Sequence, residues 1–358
     1  MHRLAAMMLA TVSCLAAATQ AADPRIALVG SLDLPEAVTA PDGTAIPLVG
    51  LSGITWLGDD AWAAAMDNSD KMVTLSIELD DDGQPAGTKR VAVVKASARH
   101  DYEDIAPCPP ALQQRIARRL EKRGEAAPGT CVLVCEEDTP AVRGLSLSDG
   151  RLLGAVPLPE IAKTCRPNRG LEALAVDPDG LRVWTANEEA LAADGPAARR
   201  GIGTLVRLME ITLPTDAAAG DAAARADRQF AYRVDPPHEM VTVLDGELLS
   251  GVVALVALGE GRLLVLERSA GKGLPPFENR IYLVDTAAAN DATLPATPAE
   301  KRPEGVVAKQ LLWKDSLGCN MEGLAVGPRL ADGGRALVGI ADNGHSGGPS
   351  KLIFFTLK

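Results

Sequence analysis

The sequence predicts an all-β fold, a β-propeller in which five four-stranded blades are favoured and six blades are the alternative. Three observations lead to this prediction. A short motif recurs five times, each copy precedes a second apolar run with a polar end, and an extra apolar run stands before the first copy. Repeats of this length cannot bury their apolar faces alone, so they must stack against one another.

The recurring motif is a small or acidic residue followed by an apolar run. Its clearest copy is Asn320-Met321-Glu322-Gly323-Leu324-Ala325-Val326. The weaker copies are Leu51-Ser52-Gly53-Ile54, Tyr102-Glu103-Asp104-Ile105, Leu171-Glu172-Ala173-Leu174 and Leu249-Ser250-Gly251-Val252. Their spacing suits propeller blades that carry loop insertions.

Each copy is followed by a second apolar run that ends in polar groups, which is the signal of a buried strand with a polar terminus. In a propeller the first strand of a blade lies innermost and the second runs antiparallel beside it. The start of one and the end of the other therefore share a face. The polar ends are Met66-Asp67-Asn68, Cys135-Glu136-Glu137-Asp138, Ala186-Asn187-Glu188-Glu189, Leu266-Glu267-Arg268 and Ala341-Asp342-Asn343.

Three further segments complete the predicted architecture. The apolar run 25–32 predicts a strand that pairs with the C-terminal blade and closes the ring, since that blade supplies only three strands of its own. Residues 111–124 carry apolar side chains at helical spacing, which predicts an amphipathic surface helix. Residues 235–248 leave room for a short sixth blade.

The N-terminal segment has the pattern of an export signal. Arg3 precedes an apolar stretch that ends in small residues, so we expect residues 1–21 to be a signal peptide and residues 22–358 to be the propeller domain. A lipoprotein signal at Cys14 is disfavoured because Leu is missing three residues before it. No other stretch is apolar for long enough to span a membrane. We therefore expect a periplasmic or secreted protein.

Five cysteines remain after removal of the predicted signal. Cys108 and Cys131 bracket the predicted helical insertion, and we predict that they form a disulfide in an oxidising compartment. The pairing of the other three cysteines is left open. The formal net charge of −11 argues against a nucleic-acid partner, which would need a basic face. We expect a monomer.

The predicted topology concentrates acids at one end of the ring. Carboxylates that crowd together must take up protons or hold a cation, and an oxygen-only ligand set favours Ca²⁺. The alternative is that these groups cap strands and accept hydrogen bonds from neighbouring blades. The acids expected at the ring centre are Glu103, Glu172 and Glu322, with the acids Asp67, Glu137, Glu188, Glu267 and Asp342 and the amide Asn343 close behind. The candidate metal ligands are Asp67, Glu103, Asp104, Glu137, Glu188, Glu267, Asp342 and Asn343.

Basic residues are predicted at the same face. Arg169 precedes the Glu172 motif, Arg268 follows Glu267, and Lys71 and His345 lie near two of the strand ends. A metal ion and a guanidinium group together bind phosphoryl or carboxylate oxygens, so Arg169, Lys71 and His345 are candidate substrate-binding residues. The alternative is that the arginines neutralise neighbouring glutamates.

Several stretches resemble the phytase-like family, described as having esterase-like activity of phytase. The resemblance is carried by residues 169–180, Leu264-Val265-Leu266-Glu267-Arg268, residues 279–285 and Asn320-Met321-Glu322-Gly323-Leu324-Ala325. It implies an exported β-propeller and a calcium-dependent phosphoesterase. The positions that match the family are Glu103, Asp104, Glu172, Glu267, Arg268, Glu322 and Asp342. Few His and Lys residues lie on the predicted face, which argues against inositol hexakisphosphate as the substrate.

Two functions remain open from the sequence, with a third less favoured. The first is a calcium-dependent hydrolase of a phosphoester or other ester, in which Glu172 or Glu322 is the general base and Arg268 stabilises negative charge. The second is a propeller without catalytic activity that binds a ligand or a protein and uses calcium structurally. The less favoured third is a lactonase. The hydrolase and lactonase would take an anionic or ester small molecule.

Overall fold

The computed structural model describes residues 23–40, 42–214, 225–242, 248–287, 289, 306–342 and 348–358. The predicted signal peptide lies outside these residues. Within them the chain forms five four-stranded antiparallel blades, which confirms the predicted all-β propeller. In the described part of the chain, no helix is long and apolar enough to cross a membrane.

The chain from Leu51 to Arg233 forms three blades. Before them come β1 (Ile26–Asp33), β2 (Ala37–Thr39) and β3 (Ala45–Pro47). Blade one contains β4 (Leu51–Gly58), β5 (Ala61–Met66), β6 (Ser69–Leu79) and β7 (Pro85–His100). Blade two contains β8 (Tyr102–Pro107), β9 (Cys131–Glu136), β10 (Ala141–Ser146) and β11 (Leu152–Val156). Blade three contains β12 (Leu171–Val176), β13 (Arg182–Asn187), β14 (Leu205–Thr212) and β15 (Arg225–Arg233).

The rest of the chain, from Leu249 to Leu357, forms the other two blades together with β1. A short strand β16 (Val241–Thr242) pairs with β19 (Gly273–Leu274) beside them. Blade four contains β17 (Leu249–Gly259), β18 (Arg262–Ala270), β20 (Phe277–Asp285) and β21 (Lys309–Asp315). Blade five contains β22 (Asn320–Arg329), β23 (Arg335–Asp342), β24 (Lys351–Leu357) and β1.

The N-terminal strand completes the fifth blade, as the sequence predicts. β1 pairs antiparallel with β24, from Ile26 opposite Leu357 to Asp33 opposite Lys351. The described part of residues 235–248 contains only the two-residue strand β16, which is too short to start a sixth blade.

The hydrophobic core lies between the blades rather than within one of them. Five clusters of buried side chains each join two neighbouring blades, including one that joins blade five to blade one. The inner strands β4, β8, β12, β17 and β22 also contact each other in sequence around the ring, with β22 against β4. Each blade is therefore stabilised by burial against both neighbours.

The predicted helix forms at nearly the expected place. It spans Pro110–Lys122 between the first and second strands of blade two. Leu112, Ile116 and Leu120 are buried at intervals of four residues and pack in the cluster between blades two and three. The helix is therefore an amphipathic insertion on the outside of the ring.

The predicted disulfide between Cys108 and Cys131 is wrong. All five cysteines of the described chain carry free thiols. The two backbones are adjacent, with Cys108 N 3.3 Å from Cys131 O. However, the Cys108 thiol contacts Pro109 O at 3.9 Å and the Cys131 thiol contacts Gly129 O at 3.6 Å. Each sulfur atom is thus directed at a carbonyl group near its own position in the chain.

Small residues after the motif position allow the inner strands to approach closely. A Cβ atom added at Gly53 would lie 2.6 Å from Asp104 Cα, and one added at Gly323 would lie 2.8 Å from Gly53 Cα. Backbone atoms cannot move aside as a flexible side chain can, so these positions require glycine.

We predict that Gly53→Ala lowers the free energy of unfolding by about 1–3 kcal/mol, because the added methyl group overlaps the backbone of blade two. Denaturant unfolding of the chelator-treated protein measures this change. Gly30→Ala is the matched control, since its Cβ would lie 3.4 Å from its nearest neighbour. Equal stability of the two variants would contradict the close approach of the inner strands.

Candidate metal centre and active site

A register shift near the start of every inner strand displaces one or two residues from regular pairing. Such bulges redirect side chains, and they recur here at equivalent places in all five blades. The residues concerned are Ser52 with Gly53, Glu103 with Asp104, Glu172, Val253 and Glu322.

The second strand of each blade supplies one further side chain at the same end of the ring. The residue before each bulge pairs with Met66, Glu136, Asn187, Glu267 or Ala341. The next residue along the second strand faces the opposite way, because side chains alternate along a strand. These next residues all line one cavity, and they are Asp67, Glu137, Glu188, Arg268 and Asp342.

Blade four departs from the predicted alignment. The sequence motif places Ser250 at the position of Glu172, whereas the bulge lies three residues later at Val253. Blade four therefore contributes Arg268 to the cavity and has an apolar residue at its bulge.

The cavity occupies the end of the central channel where the inner strands begin. Its volume is about 130 Å³, and every residue that lines it is polar. Eight carboxylates, two arginines and two asparagines form the lining. They are Asp67, Asp101, Glu103, Glu137, Glu172, Glu188, Glu322 and Asp342, Arg169 and Arg268, and Asn68 and Asn168.

Two triads of carboxylates share Glu103. Asp67, Asp101 and Glu103 place one oxygen each within 4.8 Å of one another, and so do Glu103, Glu137 and Glu172. Donor oxygens this close can bind one divalent cation, and carboxylate oxygens are the ligands that Ca²⁺ prefers. The shared residue means that one cation or two neighbouring cations fit this arrangement.

Burial and mutual repulsion raise the pKa values of these acids. Burial, the hydrogen bond to Asp101 and the charge of Asp101 raise the pKa of Asp67 to about 8. Burial and the charge of Asp67 raise the pKa of Glu103 well above its usual value. Burial, followed by the charges of Glu103 and Glu188, does the same to the pKa of Glu172. A cation would favour the ionised form of each group and reverse these shifts.

Backbone groups hold two of the cavity acids in place. Gly170 N donates to Glu137 Oε1 at 2.8 Å, and burial still raises the pKa of Glu137 to about 7. Gly50 N donates to Asp342 Oδ1 at 2.9 Å, which joins blade one to blade five. The predicted alternative, in which the acids accept hydrogen bonds from neighbouring blades, therefore applies to part of the cluster.

Of the two arginines, Arg268 comes from blade four and Arg169 from the segment that precedes blade three. Arg268 Nη2 is 3.2 Å from Glu188 Oε1 and 3.4 Å from Glu322 Oε1, and Arg169 Nε is 3.3 Å from Glu188 Oε2. Burial opposes the charge of Arg268, but the surrounding glutamates outweigh burial and raise its pKa. The buried Arg268 Nε has no hydrogen-bond partner within the described residues.

Three predicted site residues lie outside this cavity. The Asp104 carboxylate accepts bonds at 2.8 Å from the backbone N–H groups of Ile105 and Leu174, so it joins blade two to blade three. Lys71 Nζ pairs with Asp70 at 2.7 Å. Glu267 accepts bonds from Tyr232, Lys309 and the Asp235 N–H group.

Glu267 lies elsewhere because it is one position before Arg268 and therefore faces the opposite side of β18. Two more predicted residues, Asn343 and His345, fall outside the described part of the chain. The remaining predicted acids and both arginines are brought together.

Asp101, Asn68 and Asn168 line the cavity without having been singled out from the sequence. Asp101 stands two residues before Glu103, and its side chain accepts a hydrogen bond from Asn68 N at 3.2 Å. Period-two spacing from Glu103 could have identified Asp101. Asn168 lies in a connecting segment with positive φ, and no repeat signal marks it.

The cavity and the repeats can now be compared with known proteins. The model of the phytase-like family, described as "Esterase-like activity of phytase", matches residues 46–345. The chain belongs to this family. The match includes all twelve residues that line the acidic cavity of this phytase-like protein.

Solved structures similar to this phytase-like propeller are distant in sequence. The PQQ-bound aldose sugar dehydrogenase from Streptomyces coelicolor is 10% identical, with 94% of this chain and 99% of that chain covered and a TM-score of 0.40. The endo-arabinase from Bacteroides thetaiotaomicron is 12% identical, with 86% and 94% covered and a TM-score of 0.43. No curated protein matches the chain. At these sequence identities, the activities of the two solved proteins cannot be assigned to this protein.

We predict that the chelator-treated protein loses stability as the pH rises from about 4 to about 8. Asp67, Glu137 and Glu322 have folded-state pKa values of about 8, 7 and 7, all above their ordinary values. Such groups stabilise the folded state fully below their unfolded pKa, and this contribution is lost as the pH passes the folded pKa. Thermal unfolding across this pH range measures the loss.

Asp67→Asn should flatten this pH dependence, and Asp82→Asn, at an exposed turn residue, is the matched control. A pH profile of Asp67→Asn that coincides with that of the wild type would show that the cavity acids do not titrate as proposed.

Proposed function

We propose that this phytase-like protein is a metal-dependent hydrolase of an anionic ester, with its active site in the acidic cavity. The observation that carries the proposal is the juxtaposition of the two carboxylate triads with the buried Arg268 in one cavity. Carboxylates can hold a cation on one side while the guanidinium binds an anionic substrate on the other. Following the pattern of residues 1–21, we also propose that the protein acts in the periplasm or outside the cell.

The residues present fit a calcium ion. The ligand oxygens come from three blades, and all belong to carboxylates, which suits a hard cation with flexible coordination. In the described structure no basic side chain lies within ion-pair distance of Asp67, Asp101 or Glu103, and the charge of Arg268 acts on Glu103 from further away. A cation would therefore compensate charge that no ion pair compensates here. Asp67, Asp101, Glu103, Glu137 and Glu172 would hold the ion. When bound, calcium would polarise a substrate oxygen and lower the pKa of a water molecule.

Glu322 is the stronger candidate for the general base. Burial and the charge of Asp342, partly offset by Arg268, place its pKa at about 7, which suits proton transfer near neutral pH. Asn320 Nδ2 donates to Glu322 Oε1 at 2.7 Å and orients the carboxylate. Glu172 is the other candidate, but it lies in a carboxylate triad and would be engaged by a bound cation.

Arg268 would bind and stabilise the negative charge of the substrate. Its Nε atom is buried and lacks a partner among the described residues, so a substrate oxygen could accept this bond at little cost in desolvation. Arg169, 18% exposed at its side chain, lines the same cavity and would contact the substrate nearer to solvent.

One observation favours a second function, the binding of a ligand without catalysis. Glu188 contacts both arginines, and Glu322 contacts Arg268 as well. Arginines that are already neutralised attract an anion less strongly, and the cation would then serve as a structural link between blades one, two and three. Under this alternative the cavity binds ligands with no turnover.

We predict that calcium raises the melting temperature by several degrees relative to excess EDTA. A cation that binds only the folded state stabilises it by about 2.7 kcal/mol when its free concentration is one hundred times Kd. Glu103→Gln should remove most of the rise because Glu103 belongs to both triads. Differential scanning calorimetry of Glu103→Gln and of the exposed-site control Asp82→Asn separates loss of a ligand from loss of charge. The absence of any rise in the wild type would refute the calcium site.

We predict that Glu322→Gln lowers calcium-dependent turnover by roughly 10²–10⁴-fold, because the amide cannot accept a proton. The assay is a panel of phosphomonoesters, phosphodiesters, carboxylic esters and lactones at neutral pH. If the wild type hydrolyses none of these compounds but binds one of them saturably, the binding function would be favoured. Turnover that is retained in a folded Glu322→Gln variant and lost in a Glu172→Gln variant that still gains stability from calcium would transfer the role of base to Glu172.

A further inference from the structure

The channel contains a second cavity, at the opposite end from the acidic one. Its volume is about 350 Å³, and all five inner strands line it, together with Pro178, Arg335 and Leu357. Cavities of 300–1,000 Å³ with mostly apolar walls and a few polar groups are typical small-molecule sites. The proposed hydrolase function makes no use of this cavity.

The inner end of this cavity is a layer of five aliphatic side chains. Each stands two residues after the bulge position of its strand, and each is nearly inaccessible to solvent. They are Ile54, Ile105, Leu174, Leu255 and Leu324. Water gains few hydrogen bonds beside such a layer, so an apolar molecule would replace it favourably.

Arg335 is the one charged residue among those that line this cavity. Its guanidinium lies 5.8 Å from the centre of the Trp56 ring, and its Nε and Nη2 atoms donate to Gly327 O at 2.9 Å and 2.6 Å. No carboxylate lies within ion-pair distance of it in the described residues. Burial, followed by the charge of Arg329, lowers the pKa of Arg335. This positive charge is therefore held in place and left uncompensated.

We propose that the apolar cavity binds an amphipathic monoanion of the medium-chain carboxylic acid class. The hydrocarbon chain would lie along the aliphatic walls, and the carboxylate would accept hydrogen bonds from the remaining Arg335 donors. A planar guanidinium is suited to a carboxylate, and the two hydrogen bonds to Gly327 O fix the orientation of this one. A multiply charged hydrophilic anion does not fit, because the walls around the single arginine are aliphatic and would leave its other charges without partners.

Calorimetric titration of the full chain with decanoate, below its micelle concentration and in EDTA, tests this proposal. EDTA keeps the result independent of the calcium site. We expect one decanoate per chain. Arg335→Gln should weaken decanoate binding by roughly tenfold or more, because a hydrogen-bonded charge is lost. Uncharged decanol should bind wild type and Arg335→Gln equally. Arg329→Gln, which changes the neighbouring arginine outside the cavity, is the matched control and should weaken decanoate binding less.

A series on the wild type provides a test that does not depend on the folding of any variant. Affinity should rise roughly threefold to fourfold for each methylene from hexanoate to decanoate, as apolar burial requires. Decanoate should also change the tryptophan fluorescence of the wild type more than that of Trp56→Phe. The absence of decanoate binding, an affinity that does not depend on chain length, or equal decanoate affinity of wild type and folded Arg335→Gln would overturn the proposal.

Discussion

The close approach of five inner strands around one axis is the constraint on which the other features depend. Only small residues such as Gly53 and Gly323 permit it, because an added Cβ atom would lie within 3 Å of a neighbouring backbone. The same approach brings the bulges of the inner strands to one end of a narrow channel. Side chains more than 200 residues apart, such as Glu103 and Glu322, consequently line one small cavity. The five inter-blade clusters supply the apolar burial that holds the strands at this distance.

Ionising the acids of this cavity costs free energy when no cation is bound. The residues behind the cavity increase that cost. The aliphatic layer follows the acids at the bulges, Glu103, Glu172 and Glu322, by two residues along each inner strand. It therefore excludes water from one side of these acids and lowers the local dielectric constant. Burial is accordingly the largest cause of the raised pKa of Asp67, Glu103 and Glu172. The two arginines form ion pairs with Glu188, Glu189 and Glu322. The two carboxylate triads, on blades one to three, are where the proposed cation would bind.

The repeats were sufficient to predict the fold and much of the cavity. Strand periodicity located all five blades, and the motif identified Glu103, Glu172 and Glu322 because an acid before an apolar run marks the bulge. The fourth copy misled the alignment, because Leu249-Ser250-Gly251-Val252 resembles the motif while the bulge lies at Val253. Neighbouring residues of a strand face opposite sides of the sheet. Glu267 was predicted in the cavity, but Arg268, the next residue, faces the cavity instead. The position of Asn168 and the orientations of the Cys108 and Cys131 thiols depend on loop geometry, which a periodic sequence pattern does not predict.

The pairing of β1 with β24 has a consequence for how the chain reaches its native state. Lys351 and Asp33 meet across 318 residues, so the fifth blade can assemble only after the four others have been synthesised. Contacts of such high sequence separation slow folding, because the entropy of loop closure is lost before they form. Until then blade five lacks its outer strand, and the unpaired edge of β24 is open to a strand from another molecule. Aggregation during folding should therefore depend on how rapidly this single pairing forms.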